Sequence, residues 1–310
     1  MLQTSGNGLP APDVPPLEIV IVTYGGPTFV ERCLTSVRHH APRGTKVHVV
    51  DNASPDSTPD MVAHRFPEVL LHRRRDNSGF AVANNAALAG TTAPAVLLLN
   101  PDTELRPGVV EHLLHELEHE PEIGVLGCRL VTPNGSFDHA SKRRVPSPAV
   151  ALRYFLLRSA GRHGSDYTAP DLDEHDVGDV DAVNGAFMLV RAAALTDVGL
   201  LDETFWMYAE DLDWCVRMRA AGWRVVYDGR VTAIHLKGAS SGRARSVRLN
   251  YHFHRSMSLF YRKHLRRSFV EDLVVHGGIW ARFVAVAFVD VVRRSVARGD
   301  AGRPARAERA

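Results

Sequence analysis

Cysteine is scarce in this 310-residue chain: Cys33, Cys128 and Cys215 stand far apart, each among apolar neighbours. An odd, widely spaced set without C-x-x-C excludes a disulfide framework and a cysteine-based zinc site, and predicts reduced thiols. Lysine is almost as rare, 4 residues against 33 arginines, a bias that reads as GC-rich coding. Long uncharged apolar runs are missing. The nearest approach, Leu273 to Val289, is interrupted by His276, Gly277-Gly278 and Arg282, which predicts a helix unable to span a bilayer. Net charge is also small, +2, and by itself gives no reason to expect nucleic acid as a partner. No G-x-G-x-x-G follows the first apolar run, where TYGGPTF stands, which excludes a Rossmann dehydrogenase. The Gly- and Arg-rich phosphate loop expected of a nucleotidyltransferase is absent from the same place. The first sixteen residues, MLQTSGNGLPAPDVPP, have no apolar stretch and read as a disordered tail rather than a secretion signal.

What is there is an alternation of strand and helix. With 45% hydrophobic and 23% charged residues the chain has an ordinary globular composition. EIVIVT (18–23) is a continuous β-branched run, as expected of a strand buried on both faces. Val30, Cys33, Leu34 and Val37 then fall at i, i+3, i+4 and i+7, one face of a helix. Strands KVHVV (46–50), VLLH (69–72), AVLLL (95–99) and IGVLG (123–127) follow, with helices between them. This spacing predicts an α/β fold with a mostly parallel, doubly wound sheet. Pro133-Asn134-Gly135 reads as a hairpin turn, and 140–179 as a flexible surface excursion, Arg-rich at first and acidic later. Order returns with DAVNGAFMLVR (181–191), a helix near 206–221, and two strands, WRVVY (223–227) and VTAIHL (231–236). The expected organisation is a tail over 1–16, a catalytic domain over 17–240, a basic and apolar helical extension over 241–297, and a tail over 298–310.

In an open α/β sheet, ligands bind beyond the carboxyl ends of the strands. The polar residues there are Thr23-Tyr24, Asp51-Asn52, Asn100-Pro101-Asp102 and His235. Asp51 suits either a turn cap or acceptance of hydrogen bonds from a nucleoside. Asp102 suits either a turn or a divalent cation carrying a diphosphate. Along FWMYAEDLDWCVRMRAAGW (205–223), Asp211, Trp214, Cys215 and Met218 share one helical stripe. Asp211 therefore faces the body, where desolvation would raise its pKa toward that of a useful base. Asp213 points elsewhere and can pair with Arg217. Glu210 is placed to orient the loop or the acceptor.

Taken together, IVIVTYGG, VVDNAS, NSGFAVANN (77–85), LLLNPD, DAVNGAFMLVR and the 205–223 segment resemble the inverting family 2 glycosyltransferases of the GT-A fold, most nearly their bacterial rhamnosyltransferase-like branch. The resemblance covers about 18–240 in order. It implies that Thr23, Tyr24, Asp51, Asn77, Gly79, Asn100 and Asp102 hold the nucleotide donor, and that Asn184, Gly185 and Trp206 face donor and acceptor. It further implies that Asp211 is the catalytic base beside Glu210, and that Asp102 with His235 binds Mg²⁺ or Mn²⁺. The family's D-x-D reads Asn100-Pro101-Asp102 here, so its first carboxylate is missing. The implied reaction is inverting transfer of a sugar, L-rhamnose from dTDP-rhamnose first, to a cell-wall or surface-polysaccharide acceptor, glycan or polyprenyl-linked. Galactofuranose, N-acetylglucosamine and mannose are the alternative sugars, and a catalytically inactive nucleotide-sugar-binding module is the alternative from another class.

The small net charge conceals a split. Residues 240–310 hold 15 basic and 5 acidic side chains, so the preceding part carries −8 against +10 for the tail. With an apolar helix beside Arg262, Lys263, Arg266, Arg267, Arg293 and Arg294, the region 250–297 suits an anionic membrane surface. Packing on the catalytic domain or on a second copy is the alternative. The expected location is cytoplasmic, peripheral on the inner face of the plasma membrane.

Overall fold

The computed structural model describes residues 14–145, 166–236 and 247–301, with side chains as far as Val289. The tails expected over 1–16 and 298–310 lie largely outside the described residues, as do the basic loop after Leu236 and the middle of the 140–179 excursion.

The elements run β1 (Glu18–Thr23), α1 (Pro27–His40), β2 (Lys46–Asp51), α2 (Thr58–Arg65), β3 (Leu70–Arg73), α3 (Phe80–Leu88), β4 (Ala95–Leu99), β5 (Thr103–Glu104), α4 (Val109–His119) and β6 (Ile123–Val131). Next come β7 (Lys142–Arg143), β8 (Val177–Asp179), β9 (Ala182–Val183), β10 (Phe187–Arg191), α5 (Ala192–Val198), α6 (Glu210–Ala220), β11 (Arg224–His235), α7 (Val247–Phe260) and α8 (Phe269–Ala301). The main sheet is ordered β3-β2-β1-β4-β10-β6-β11-β5, with β8 also on β11, and β7 pairs β9 in a two-stranded ribbon. Strands β1 to β4 pair in parallel and β6 pairs β11 in parallel, whereas β10 runs antiparallel between β4 and β6.

Period-two alternation divides the core. Ile19, Ile21, Leu97 and Leu99 face one layer with Val30, Cys33, Leu34 and Val37 of α1 and Val110, Leu113 and Leu117 of α4. Val20, Val22, Val96 and Leu98 face the other, with Ala81 and Ala87 of α3 and Trp214, Cys215 and Met218 of α6. Helices on both faces of a mostly parallel sheet confirm the doubly wound reading. All three cysteines are free and buried, and burial pushes their thiols up, to about 12 for Cys215.

The strand expected over 69–72 forms at Leu70–Arg73, on the sheet edge with Leu70 exposed. Other expectations need correction. WRVVY and VTAIHL are one strand, β11, whose pairing with β6 shifts register between Asp228 and Thr232, so the polar DGR interruption is a bulge. The opening of the 140–179 excursion is ordered and buried: Lys142 and Arg143 form β7, and the Lys142 ammonium donates to the carbonyls of Ala169 and Leu172.

The C-terminal helices pack on the body through α7 and the turn that follows it. Helix α7 reaches the 204–208 loop: Arg255 donates to the Thr204 carbonyl, Ser256 to the Met207 carbonyl, and His252 stacks on Trp206 at 4.1 Å. Helix α8 rests on α7 through Ile279, His276 against Ser258, and Trp280 and Phe283 against Tyr251. Its outward face is Phe269, Val270, Leu273, Val274, Val284, Phe288 and Val289, all exposed. Counted from Phe269, the segment to Val289 is long and apolar enough to cross a membrane by length and composition, which corrects the reading of 273–289 as too interrupted. His276 and Arg282 do not break that outward face, because both sit on the half-buried side.

Candidate active site

The carboxyl ends of β1, β2 and β4 deliver the donor-side candidates. Thr23 and Asp51 are paired in register at adjacent strand ends, and both are buried. Asp51 Oδ2 accepts the Ser54 amide at 3.3 Å, and its Oδ1 has no protein hydrogen-bond partner. A buried carboxylate oxygen left unfilled by protein is what a hydroxyl or base N–H of a ligand requires. Tyr24 beside it is exposed.

Asn77 and Gly79 are joined to Trp206. Asn77 Oδ1 accepts from the Asn52 amide group at 3.0 Å and from the Gly79 backbone at 3.2 Å, and the Trp206 indole donates to the Asn77 carbonyl. The Phe80 amide donates to the Trp206 carbonyl at 2.7 Å. Gly79 sits at φ 96°, and a Cβ there would collide with that carbonyl, so only glycine permits the approach. Asn52, expected beside Asp51 at the end of β2, is buried and central to this knot.

Asp102 and His235 come together at the ends of neighbouring chain segments, with His235 Nε2 3.5 Å from Asp102 Oδ1. His235 Nδ1 lies 3.2 Å from Asp138 Oδ2, a second carboxylate not anticipated from sequence. Burial works against charge on His235, but hydrogen bonds to Asp102 and then Asp138 outweigh it and push the imidazole up to about 9. Asn100 is half-buried, with its amide donating to the Ala186 carbonyl, which ties the end of β4 to the 184–186 turn. Asn184 closes that turn by accepting the Ala186 amide. Among the described residues no group of three or more His, Cys, Asp or Glu is arranged around a metal position.

At the start of α6 the chain enters the helix through Tyr208 (φ 71°) and Ala209 (φ 67°), two consecutive left-handed non-glycine residues. Such strain persists only where surrounding contacts enforce it, and it clusters at functional sites. Asp211 faces the body as its stripe predicts. Its Oδ2 accepts from the Arg143 guanidinium at 2.6 Å and from the Gly185 amide at 3.0 Å. Its Oδ1 accepts the Leu212 amide at 2.8 Å. The carboxyl with the large upward shift is the adjacent Glu210: burial first, then the charge of Asp211, pushes it up to about 8. Glu210 Oε2 is buried without a hydrogen-bond partner. Arg143 was missed because nothing in SKRR distinguishes a buried arginine from a solvated one.

The fold matches that of nucleotide-sugar-using GT-A glycosyltransferases. The mannosyltransferase PcManGT from Pyrobaculum calidifontis, solved with GDP-Man and Mn²⁺, aligns with a TM-score of 0.56 at 17% identity over 93% of this chain and 82% of its own. Staphylococcus aureus TarS 1–349 aligns with a TM-score of 0.54 at 14% identity over 87% and 72%. The glycosyl transferase family 2 profile matches residues 18–176. A Mycobacterium tuberculosis protein, N-acetylglucosaminyl-diphospho-decaprenol L-rhamnosyltransferase, is 32% identical over 260 residues, spanning 79% of this chain and 83% of that relative. The hexosyltransferase Agl10 of Haloferax volcanii, of low-salt glycan biosynthesis, is 25% identical over 71% and 66%. The chain belongs to glycosyl transferase family 2 and is a glycosyltransferase.

Proposed function

We propose that this glycosyltransferase moves L-rhamnose from a nucleoside diphosphate donor, dTDP-rhamnose, to an N-acetylglucosaminyl-diphospho-polyprenol acceptor, inverting the anomeric carbon. The observation that carries the reading is 32% identity to a rhamnosyltransferase of that acceptor, sustained over most of both chains. Thr23, Asp51, Asn77 and Gly79 hold the nucleoside. The acceptor oxygen bonds to the anomeric carbon as its proton passes to Asp211, and the bond from that carbon to the diphosphate breaks with the electron pair leaving on the diphosphate. A single carboxylate base, with no second one acting as nucleophile, gives inversion.

The donor set fits a divalent cation, Mg²⁺ or Mn²⁺. Asp102 supplies a carboxylate and His235 an imidazole, and the Asp138–His235 hydrogen bond is the kind that orients a ligating histidine. When bound, the cation neutralises charge on the departing diphosphate.

Helix α8 brings the enzyme to the lipid that carries its acceptor, lying on the cytoplasmic face of the membrane rather than crossing it. Its inner face is committed to α7, and its outer face is apolar beside the exposed Arg262, Arg266 and Arg267. The deciding experiment offers dTDP-L-rhamnose, UDP-galactofuranose, UDP-N-acetylglucosamine and GDP-mannose to the purified enzyme, with acceptor in anionic vesicles, with and without Mn²⁺. Rhamnose transfer with inverted configuration is expected; faster transfer of any other sugar overturns the donor assignment.

A further inference from the structure

Glu210 and Asp211 are adjacent carboxyls at one helix start, and like charges so close do not both ionise without cost. Their surroundings differ sharply. Asp211 receives both arms of the Arg143 guanidinium, at 2.6 Å on Oδ2 and 3.5 Å on Oδ1, together with the amides of Gly185 and Leu212. Gly185 carries no Cβ; one built there would stand 3.2 Å from that of Asp211 and crowd it. Glu210 Oε2 has no comparable donor. Arg143 is itself fixed, by the Val183 carbonyl and the Tyr167 side chain, and its strand β7 is paired to β9. The titratable and charged groups facing the pair are thus Arg143 from β7, Tyr167 from the 166–168 turn, and Asp213 and Cys215 from α6 itself.

We propose that Arg143 is a positioning residue that selects Asp211 as the ionised member of the Glu210–Asp211 pair and fixes the plane of its carboxylate for proton removal from the acceptor. The inference rests on the reading of Asp211 as the base. One charge on Asp211 balances that of Arg143, and the upward shift on Glu210 keeps the second carboxyl protonated near neutrality. Pairs of carboxyls pushed apart in this way divide acid and base roles in other active sites. A two-armed guanidinium is needed because it holds both oxygens, whereas a lysine supplies charge at one point. After Asp211 has taken the proton, Arg143 remains cationic beside a neutral acid, which favours return of the proton to solvent before the next turnover.

The test is single-turnover transfer measured from about pH 5 to about pH 9 for the wild type, Arg143→Gln, Arg143→Lys and Asp211→Asn, with nucleoside diphosphate binding by calorimetry as the control for folding. Arg143→Gln is expected to lose about 100-fold in rate with donor KM within about threefold, and to move the acid limb upward by about one unit. Arg143→Lys keeps the charge, so its limb should stay in place while the rate falls about tenfold. It decides the matter if the glutamine variant no longer binds nucleotide. A wild-type rate in Arg143→Lys, or a Gln variant altered in KM alone, overturns the proposal. Failure is separable from failure of the base assignment. An inactive Asp211→Asn beside a silent Arg143 series sinks only the selection, whereas an active Asp211→Asn sinks both.

Discussion

Two aspartates two residues apart on α6 show how differently one helix end uses its faces. Asp213 is wholly buried and surrounded by nitrogen donors: Arg217 at 2.9 Å, His264 at 2.7 Å and Lys263 at 2.7 Å. Two of those come from the π-helical turn Tyr261–Leu265 that follows α7, so Asp213 fastens the C-terminal helices to the body. Asp211 faces the opposite way, against one arginine and an unsatisfied carboxyl neighbour. Burial by itself, then, says little about role. A surplus of donors marks a fastening, while one arginine counted against two carboxyls marks a pair in which the second, Glu210, is pushed up.

Substitutions that keep shape while removing charge should break this comparison cleanly. Asp211→Asn is expected to abolish transfer, by about a thousandfold or more, with nucleoside diphosphate affinity nearly intact by calorimetry. Wild-type rates would remove the base assignment. Asp102→Asn should weaken Mn²⁺-supported nucleotide binding about 10- to 100-fold while affecting metal-free binding far less. Equal losses with and without Mn²⁺ would mean that Asp102 acts on the nucleotide rather than the cation. Asp213→Asn inverts the pattern, costing about 3 kcal/mol of stability in urea unfolding because it removes the buried charge that Arg217, Lys263 and His264 bind, with transfer largely retained in the folded fraction.

The same contrast appears in acid. Burial alone would raise Asp213, but His264, Lys263 and Arg217 outweigh it and hold its carboxyl below the ordinary range. Glu18, through Thr92 and His48, and Asp228, through Arg230 and His112, are lowered likewise against burial. Their folded values lie below the unfolded ones. The stability they contribute is therefore present above about pH 4 and lost as pH falls through the folded values. Asp213→Asn should flatten that acid-side slope by up to about 1.4 kcal/mol per pH unit. The smallest effect on folding is expected at the outward face of α8: Leu273→Glu with Phe288→Glu should shift Tm by about a degree or less. The same pair should abolish sedimentation with phosphatidylglycerol vesicles. Loss of a concentration-dependent dimer in its place would assign that face to a second copy.

Much of this was legible in the chain. EIVIVT and AVLLL could be little other than buried strands, and the stripe through Asp211, Trp214, Cys215 and Met218 is enough to orient the helix. The illegible part has one physical origin. Arg143, Asp138 and Lys142 are polar residues buried by partners more than twenty residues away, and local pattern carries no sign of a distant partner. The join at 228–232 failed for a related reason, because a bulge and a loop present the same polar interruption. Helix α7 was read as an appendage because its contacts are aromatic and histidine side chains, whose burial depends on the 204–208 loop it meets.

The seam between Gly79 and Trp206 has a mechanical consequence. On the proposed reading residues 77–80 hold the donor, and Trp206, four positions before Glu210, joins them to the start of α6 across the missing side chain of Gly79. A nucleotide that draws Asn77 even slightly should tilt Trp206 against His252 and alter the indole emission. Trp206 emission would then report donor occupancy from beside the strained turn that precedes Asp211.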